Sequence, residues 1–178
     1  MIKSKIESAW SHFLTICRDF DNLIPRNIKQ KLLIKNLDLP QMKSVSQKMG
    51  IRENSCASFI GAPAEALEDM QLPELEIKEK LTGEFDYIHL FVKTQSEFKD
   101  KFPKLKPHLK PDGMLWVSWP KGGQLNTDLS LTKIINIGYG FGLVESTCLS
   151  VNSVWSGLKF THPKEGKVYR NSYGELMR

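Results

Sequence analysis

Two apolar runs, residues 87–92 and 114–119, stand out between Glu84 and Gly123, separated by polar, turn-rich sequence. Runs that are apolar at both alternate positions predict strands buried on both faces, as in a central parallel sheet. Between them, Ser96 is placed to cap a helix running through Leu105 and ending before Pro107. Pro111-Asp112-Gly113 predicts a turn, with proline presetting φ and glycine accepting positive φ. Pro120 stops the second run, and a basic glycine loop, Lys121-Gly122-Gly123, follows. Thr127, Asp128 or Ser130 then caps a helix through Ile137. Residues 143–151 and 156–161 form an antiparallel pair across a turn at 152–155.

Upstream, residues 55–61 are a short apolar run suited to a buried strand, and Pro63 sits where it opens a helix over Ala-Glu-Ala-Leu-Glu-Asp-Met. Residues 75–81 alternate enough to predict an edge strand, with Thr82-Gly83 as a turn. A short helix closing at Gly50 precedes all of this. Nearer the start, Ile6, Trp10, Phe13, Leu14, Cys17 and Phe20 recur at helical spacing, with Ser4 and Glu7 as a capping box. Ile28, Leu32, Leu33 and Leu37 line one side of a second helix, ended by Pro40. Such an amphipathic pair needs a surface to cover. The expected organisation is a helical extension over 1–43 packed on the core, a compact α/β domain over 44–162, and a polar basic tail over 163–178. The fold class is three-layer Rossmann-like α/β: a mostly parallel sheet with an antiparallel edge pair.

The chain has 178 residues, 40% hydrophobic and 25% charged, with room for one sizeable core. No apolar run is long enough to span a bilayer, and the first ten residues lack the apolar stretch of a secretory signal. Cys17, Cys56 and Cys148 lie far apart, which argues against a disulfide framework or zinc site and for a cytoplasmic setting. The net charge of +5 is concentrated in the flanks. Residues 1–43 carry eight basic side chains against four acidic ones, and residues 163–178 four against two. Basic flanks can attract nucleic acid; a solvated charged surface is the plainer reading.

The order of strand, helix, strand, helix and closing antiparallel pair resembles the second half of the class I S-adenosylmethionine-dependent methyltransferase fold. Phe85-Asp86 and Leu109-Lys110-Pro111-Asp112-Gly113 are typical of that fold. A closer resemblance, over roughly residues 44–161, is to a small bacterial family of unknown function with compact methyltransferase-like domains. Its signposts stand here as Gly61-Ala62-Pro63, Phe91-Val92, Trp116-Val117-Ser118-Trp119-Pro120-Lys121, Thr127-Asp128-Leu129 and Trp155-Ser156-Gly157-Leu158.

The methyltransferase resemblance makes S-adenosylmethionine a possible cofactor, yet the sequence departs from the pattern such a site uses. A glycine-rich turn normally follows the first strand, and an acid on the second grips the ribose. Here Gly61-Ala62-Pro63 offers one glycine and then a rigid proline. Roughly two dozen residues separate Gly61 from Asp86, too few for two further βα units. Glu76 or Glu79 could stand in for the ribose acid, but a charged face on an edge strand is the plainer role. Gly138-Tyr139-Gly140-Phe141-Gly142 has glycine spacing but follows a helix, the reverse of the binding context.

A second candidate cluster joins Trp119, Lys121, Gly122 and Gly123 to Thr127 and Asp128. Beyond a strand's carboxyl end, a lysine, exposed backbone donors and a stacking indole would suit an acidic or phosphate-bearing ligand. The same residues also make a good exposed loop, and Asp128 would repel an anion. Trp116 and Trp119 face opposite sides of their strand, and Trp155 is placed to cap the core. His89 reads as a buried histidine bonded to backbone. His108 and His162 lack partners at ligand spacing, and Cys56 and Cys148 read as small buried hydrophobes. The candidate ligand residues are therefore Gly61, Ala62, Pro63, Trp119, Lys121, Gly122, Gly123, Thr127 and Asp128, with no catalytic or metal set.

Three functions are compatible with this. The leading one is a non-catalytic module that binds a ligand or a protein partner, with self-association through the N-terminal helices as a variant. The others are an S-adenosylmethionine-dependent methyltransferase whose site is completed by the extension or a second subunit, and a nucleic-acid-associated module.

Overall fold

The chain divides into two units, Met1–Met42 and Lys43–Arg178. The computed structural model describes residues 43–169 and 176, all within the second unit. The two expected N-terminal helices and Cys17 lie outside the described residues.

Helix α1 (Val45–Met49) opens on a Ser44 capping box completed by Gln47 and closes on Gly50 at φ 80°. Strand β1 (Cys56–Ile60) leads through Gly61 to helix α2 (Ala64–Met70), with Pro63 as its N-cap. The expected edge strand shrinks to β2 (Glu76–Ile77), both residues exposed. Ile77 is turned to solvent, so the alternation seen at 75–81 does not mark a buried face.

Strand β3 (Phe85–Phe91) follows, its start tied to β1 through Asp86, whose carboxylate accepts from the Cys56 N–H at 3.0 Å and from Lys110 Nζ at 2.7 Å. Helix α3 (Gln95–Leu105) is capped by Thr94 rather than Ser96: the Thr94 hydroxyl accepts from the Glu97 N–H at 3.2 Å. Helix α4 (Leu131–Gly140) is capped by Ser130, because Thr127 and Asp128 are engaged elsewhere. Strands β5 (Val144–Ser150) and β6 (Trp155–Thr161) make the expected hairpin.

Strand β4 (Leu109–Pro120) is longer than its apolar run. Pro111-Asp112-Gly113 forms no separate turn. It is a bulge within the strand, where the pairing with β3 jumps from Phe85↔Leu109 to Tyr87↔Met114. Gly113 does not take positive φ. It is needed for space, since a Cβ there would lie 2.9 Å from the Phe85 carbonyl oxygen and 2.9 Å from Leu109 Cδ1.

The sheet order is β2-β1-β3-β4-β6-β5. The first four strands are parallel, and β6 is antiparallel to both β4 and β5. Met49, Ala66 and Met70 of α1 and α2 pack on one face with Tyr87, Phe91, Trp116 and Trp155. Phe98, Phe102, Ile134 and Ile135 of α3 and α4 pack on the other with Ile88, Leu90, Trp119 and Phe160. The fold is thus a three-layer α/β domain with a mostly parallel sheet and an antiparallel edge pair. Trp116 and Trp119 fall in opposite layers, as their spacing requires. No helix of the described residues is long and apolar enough to cross a membrane.

Candidate functional site

From β1 the chain runs first to β2 on one side and then to β3 on the other, so the connections diverge between β1 and β3. In open α/β sheets that divergence leaves a crevice outside the carboxyl ends of the strands, where ligands bind. A cleft of about 600 Å³ lies at this position, formed by the β1–α2 turn, the end of β3, the start of α3, Leu125 and the β5–β6 turn.

On the β1 side, Gly61 takes φ +66°, and a Cβ there would lie 3.0 Å from the Phe91 carbonyl oxygen. Ala62, Pro63 and Glu65 continue that wall into α2. Pro63 offers no side-chain cap to the helix. The floor is apolar, with Phe91 and Trp155 in a T-shaped pair whose ring centroids are 5.2 Å apart.

Lys93 and Glu97 bring charge to the β3 side. Partial burial raises the Glu97 pKa, but the Lys101 ammonium at 2.5 Å and the Lys93 N–H at 3.1 Å outweigh it and hold the carboxyl below its ordinary value. Glu97 is therefore an anion committed to its own helix end. The Lys93 charge adds a weaker pull on the Glu97 carboxylate, and its ammonium makes no hydrogen bond within the described residues.

Beneath the floor, His89 stacks on Phe91 at 4.3 Å and 28°. It shares hydrogen bonds of 2.8 Å with the Tyr87 hydroxyl through Nδ1 and with Ser118 Oγ through Nε2. These partners are side chains, where backbone groups were expected. Full burial lowers the His89 pKa to about 3, so the imidazole is neutral at physiological pH. It supports the floor and is itself fully buried.

Of the nine candidate ligand residues, Gly61, Ala62 and Pro63 line this cleft. The others do not, and most are held by internal partners. Trp119 is buried in the α3/α4 layer. Lys121 Nζ donates to Ser150 Oγ at 2.6 Å and to the Asn152 carbonyl, and its backbone N–H donates to Val154 O at 2.8 Å. That lysine clamps the β5–β6 turn. Gly122 and Gly123 both take positive φ in the exposed stretch that follows. Thr127 Oγ1 donates to the Lys93 carbonyl at 2.6 Å, and Asp128 accepts from the Gln95 N–H at 2.8 Å. Together Thr127 and Asp128 clasp the loop after β4 to the start of α3.

Glu65, Lys93, Glu97, Leu125 and Val154 complete the cleft without any local sequence signal. Glu76 does not reach it and pairs with Lys78 at 3.3 Å; Glu79 does not line it either. His108 and His162 bond the carbonyls of Gly83 and Leu109. Cys148 is exposed on the edge strand, contrary to expectation, whereas Cys56 is buried. Among the described residues no group of three or more His, Cys, Asp or Glu could hold a metal ion.

No family model matches the sequence, and a search of curated proteins finds no match. Solved structures do. A ribosomal protein L11 methylase from Lactobacillus delbrueckii subsp. bulgaricus is 14% identical, aligned over 66% of this chain and 74% of its own, with a TM-score of 0.46. A methyltransferase from Pyrococcus furiosus is 18% identical, over 64% and 77%, with a TM-score of 0.44. A 1,6-didemethyltoxoflavin-N1-methyltransferase from Burkholderia thailandensis, solved with S-adenosylhomocysteine, is 11% identical over 67% and 75%, with a TM-score of 0.47. The chain is similar to methyltransferase structures at the level of overall architecture.

Proposed function

We propose that this chain is an S-adenosylmethionine-dependent methyltransferase that holds its cofactor in the cleft beyond β1 and β3. The observation that carries the reading is the placement of that cleft at the divergence point of a parallel sheet, beside a glycine that brings the β1 turn against β3. Its volume, about 600 Å³, falls within the range of small-molecule sites.

The residues present suit such a ligand in three respects. Gly61 lets the backbone pass close to β3, Phe91 and Trp155 give an apolar floor, and the Lys93 ammonium is available for a carboxylate. The cofactor, when bound, supplies an electrophilic methyl group. The chain's own part is to orient it and exclude water from one side. The acids of β2 are not in the cleft, so completion of the site falls to Glu65 at the cleft wall or to a second subunit. That same feature favours the second reading, a non-catalytic module that binds a ligand without turning it over.

Ultraviolet cross-linking of radiolabelled S-adenosylmethionine to the full chain, followed by peptide mapping, tests the assignment. Label should appear in the peptides holding Gly61–Pro63 or Phe91–Glu97. Label confined to other peptides, or none, contradicts it. Methyl transfer separates the two readings once binding is established.

A further inference from the structure

The two ends of the cleft differ in chemistry. Gly61, Ala62, Pro63 and Glu65 form the end at β1, beside β2. Leu125, Val154 and Trp155 form the end towards β6, two strands beyond β1 in the sheet order. In the reading above, on which this inference rests, the ribose end of the cofactor faces β1 and β2, and Lys93 takes its carboxylate. The β6 end is then left to a second molecule.

That end bonds its polar groups internally. The N–H groups of Val154 and Trp155 both donate to Asn152 Oδ1, each at 2.9 Å, and Asn152 Nδ2 donates to Asp69 at 2.8 Å. The Val154 carbonyl accepts from the Lys121 N–H at 2.8 Å, and the Trp155 carbonyl from the Val151 N–H at 2.9 Å. Of the polar groups on Val154 and Trp155, only the indole N–H has no partner among the described residues. Leu125 faces them from the loop after β4. It takes φ 52° and ψ 27°, a region unfavourable to a branched side chain, and is 52% exposed. Of the four exposed large hydrophobic residues described, it alone lines this cleft. The β6 end thus presents apolar side chains, one free N–H and no charge.

We infer that Leu125, Val154 and Trp155 form the methyl-acceptor subsite, and that the acceptor is a small uncharged aromatic molecule carrying one nucleophilic heteroatom. A charged acceptor would lose its hydration here without a counter-charge, and a sugar or peptide would leave several polar groups unpaired. A ring suits the place, because Phe91 and Trp155 already pack edge to face and a third ring extends that packing. Its cover by Leu125 removes the leucine's apolar surface from water. In the transfer the heteroatom gains the methyl group and gives up its proton to water, while the sulfonium leaves as the neutral thioether.

Ligand-detected NMR titrations of the full chain test this, with S-adenosylhomocysteine held at saturation and indole, 2-naphthol and 2-naphthoate as probes. The wild type, Leu125→Asn and Val154→Thr are compared, with melting curves in parallel. Indole or 2-naphthol should bind, and 2-naphthoate should bind at least tenfold more weakly than 2-naphthol. Asparagine suits the left-handed backbone, so Leu125→Asn should melt no lower than the wild type yet lose about tenfold in affinity for the bound aromatic probe. Val154→Thr, which puts a hydroxyl into the wall at nearly constant shape, should lose about fivefold. Both variants should bind S-adenosylhomocysteine within about twofold of the wild type. Saturation by S-adenosylhomocysteine with no binding of indole or 2-naphthol overturns the acceptor subsite and leaves the cofactor reading standing. So does 2-naphthoate binding as tightly as 2-naphthol, unchanged probe affinity in both variants, or an equal loss of S-adenosylhomocysteine affinity. No S-adenosylhomocysteine binding by the wild type overturns both.

Discussion

Gly61 stands directly against the carbonyl of Phe91: a Cβ on Gly61 would lie 3.0 Å from that oxygen, and the residue's φ of +66° already favours glycine. The first turn after β1 and the end of β3 are thereby held at contact distance, and this closeness shapes one wall of the cleft. Gly61→Ala is predicted to cost about 1–2 kcal/mol through the left-handed backbone alone, read as a lower urea midpoint. A variant as stable as the wild type would show that the turn is not constrained in this way.

Gly138 is under a different constraint. It lies within helix α4 with no positive φ, but a Cβ there would sit 2.2 Å from Cε1 of Phe160, whose ring is fully buried. Alanine at an interior helix position normally gains about 1 kcal/mol over glycine. Overpacking a filled core costs about 1–3 kcal/mol, and with no free volume for the ring the upper part of that range applies. Gly138→Ala should therefore destabilise despite its better helix propensity. A rise in melting temperature would contradict the packing account.

These two glycines show how unevenly the fold is written in the sequence. The apolar runs at 87–92 and 114–119 and the break at 152–155 reveal β3, β4 and the hairpin, because strand burial and turns leave local patterns. Opposite placement of Trp116 and Trp119 follows from alternation alone. Gly138 sat in a decoy motif, because its reason is Phe160, 22 residues later and across a layer. Pro111-Asp112-Gly113 had the composition of a turn, but the pressure on Gly113 comes from the Phe85 carbonyl. Lys121, Thr127 and Asp128 looked like a ligand site, since sequence cannot reveal that their polar groups already bond Ser150, Asn152, Lys93 and Gln95. Leu125 gave no signal, because an exposed leucine in a loop is ordinary until its backbone angle and its cleft are known.

His89 predicts a pH dependence. Burial holds its pKa near 3, against an ordinary 6.5, within a cage of Tyr87, Ser118 and Phe91. As pH falls below 6.5 the unfolded chain takes up a proton there and the folded chain does not. The contribution of neutral His89 to stability is complete above 6.5 and is lost progressively towards pH 3. Its slope approaches ~1.4 kcal/mol per pH unit. In urea titrations across this window, His89→Leu should show a shallower dependence than the wild type. Identical slopes would mean that the imidazole is protonated in the folded state.

Lys121 separates a structural clamp from a ligand contact. With Nζ bonded to Ser150 Oγ and the Asn152 carbonyl, Lys121→Met should lower stability by about 1 kcal/mol, discounted for solvent exposure. Affinity for S-adenosylhomocysteine should stay within about twofold, because the ammonium lies outside the cleft. A large loss of affinity with intact stability would return Lys121 to the binding site.

The most direct test of the cleft as an adenosyl site is native mass spectrometry of the full chain with S-adenosylmethionine and S-adenosylhomocysteine, for the wild type and for Gly61→Trp. The account predicts an added mass of one ligand per wild-type chain, absent from a Gly61→Trp protein that retains its circular dichroism. A wild-type ion unchanged by either ligand, or equal ligand retention by a folded Gly61→Trp, would contradict it.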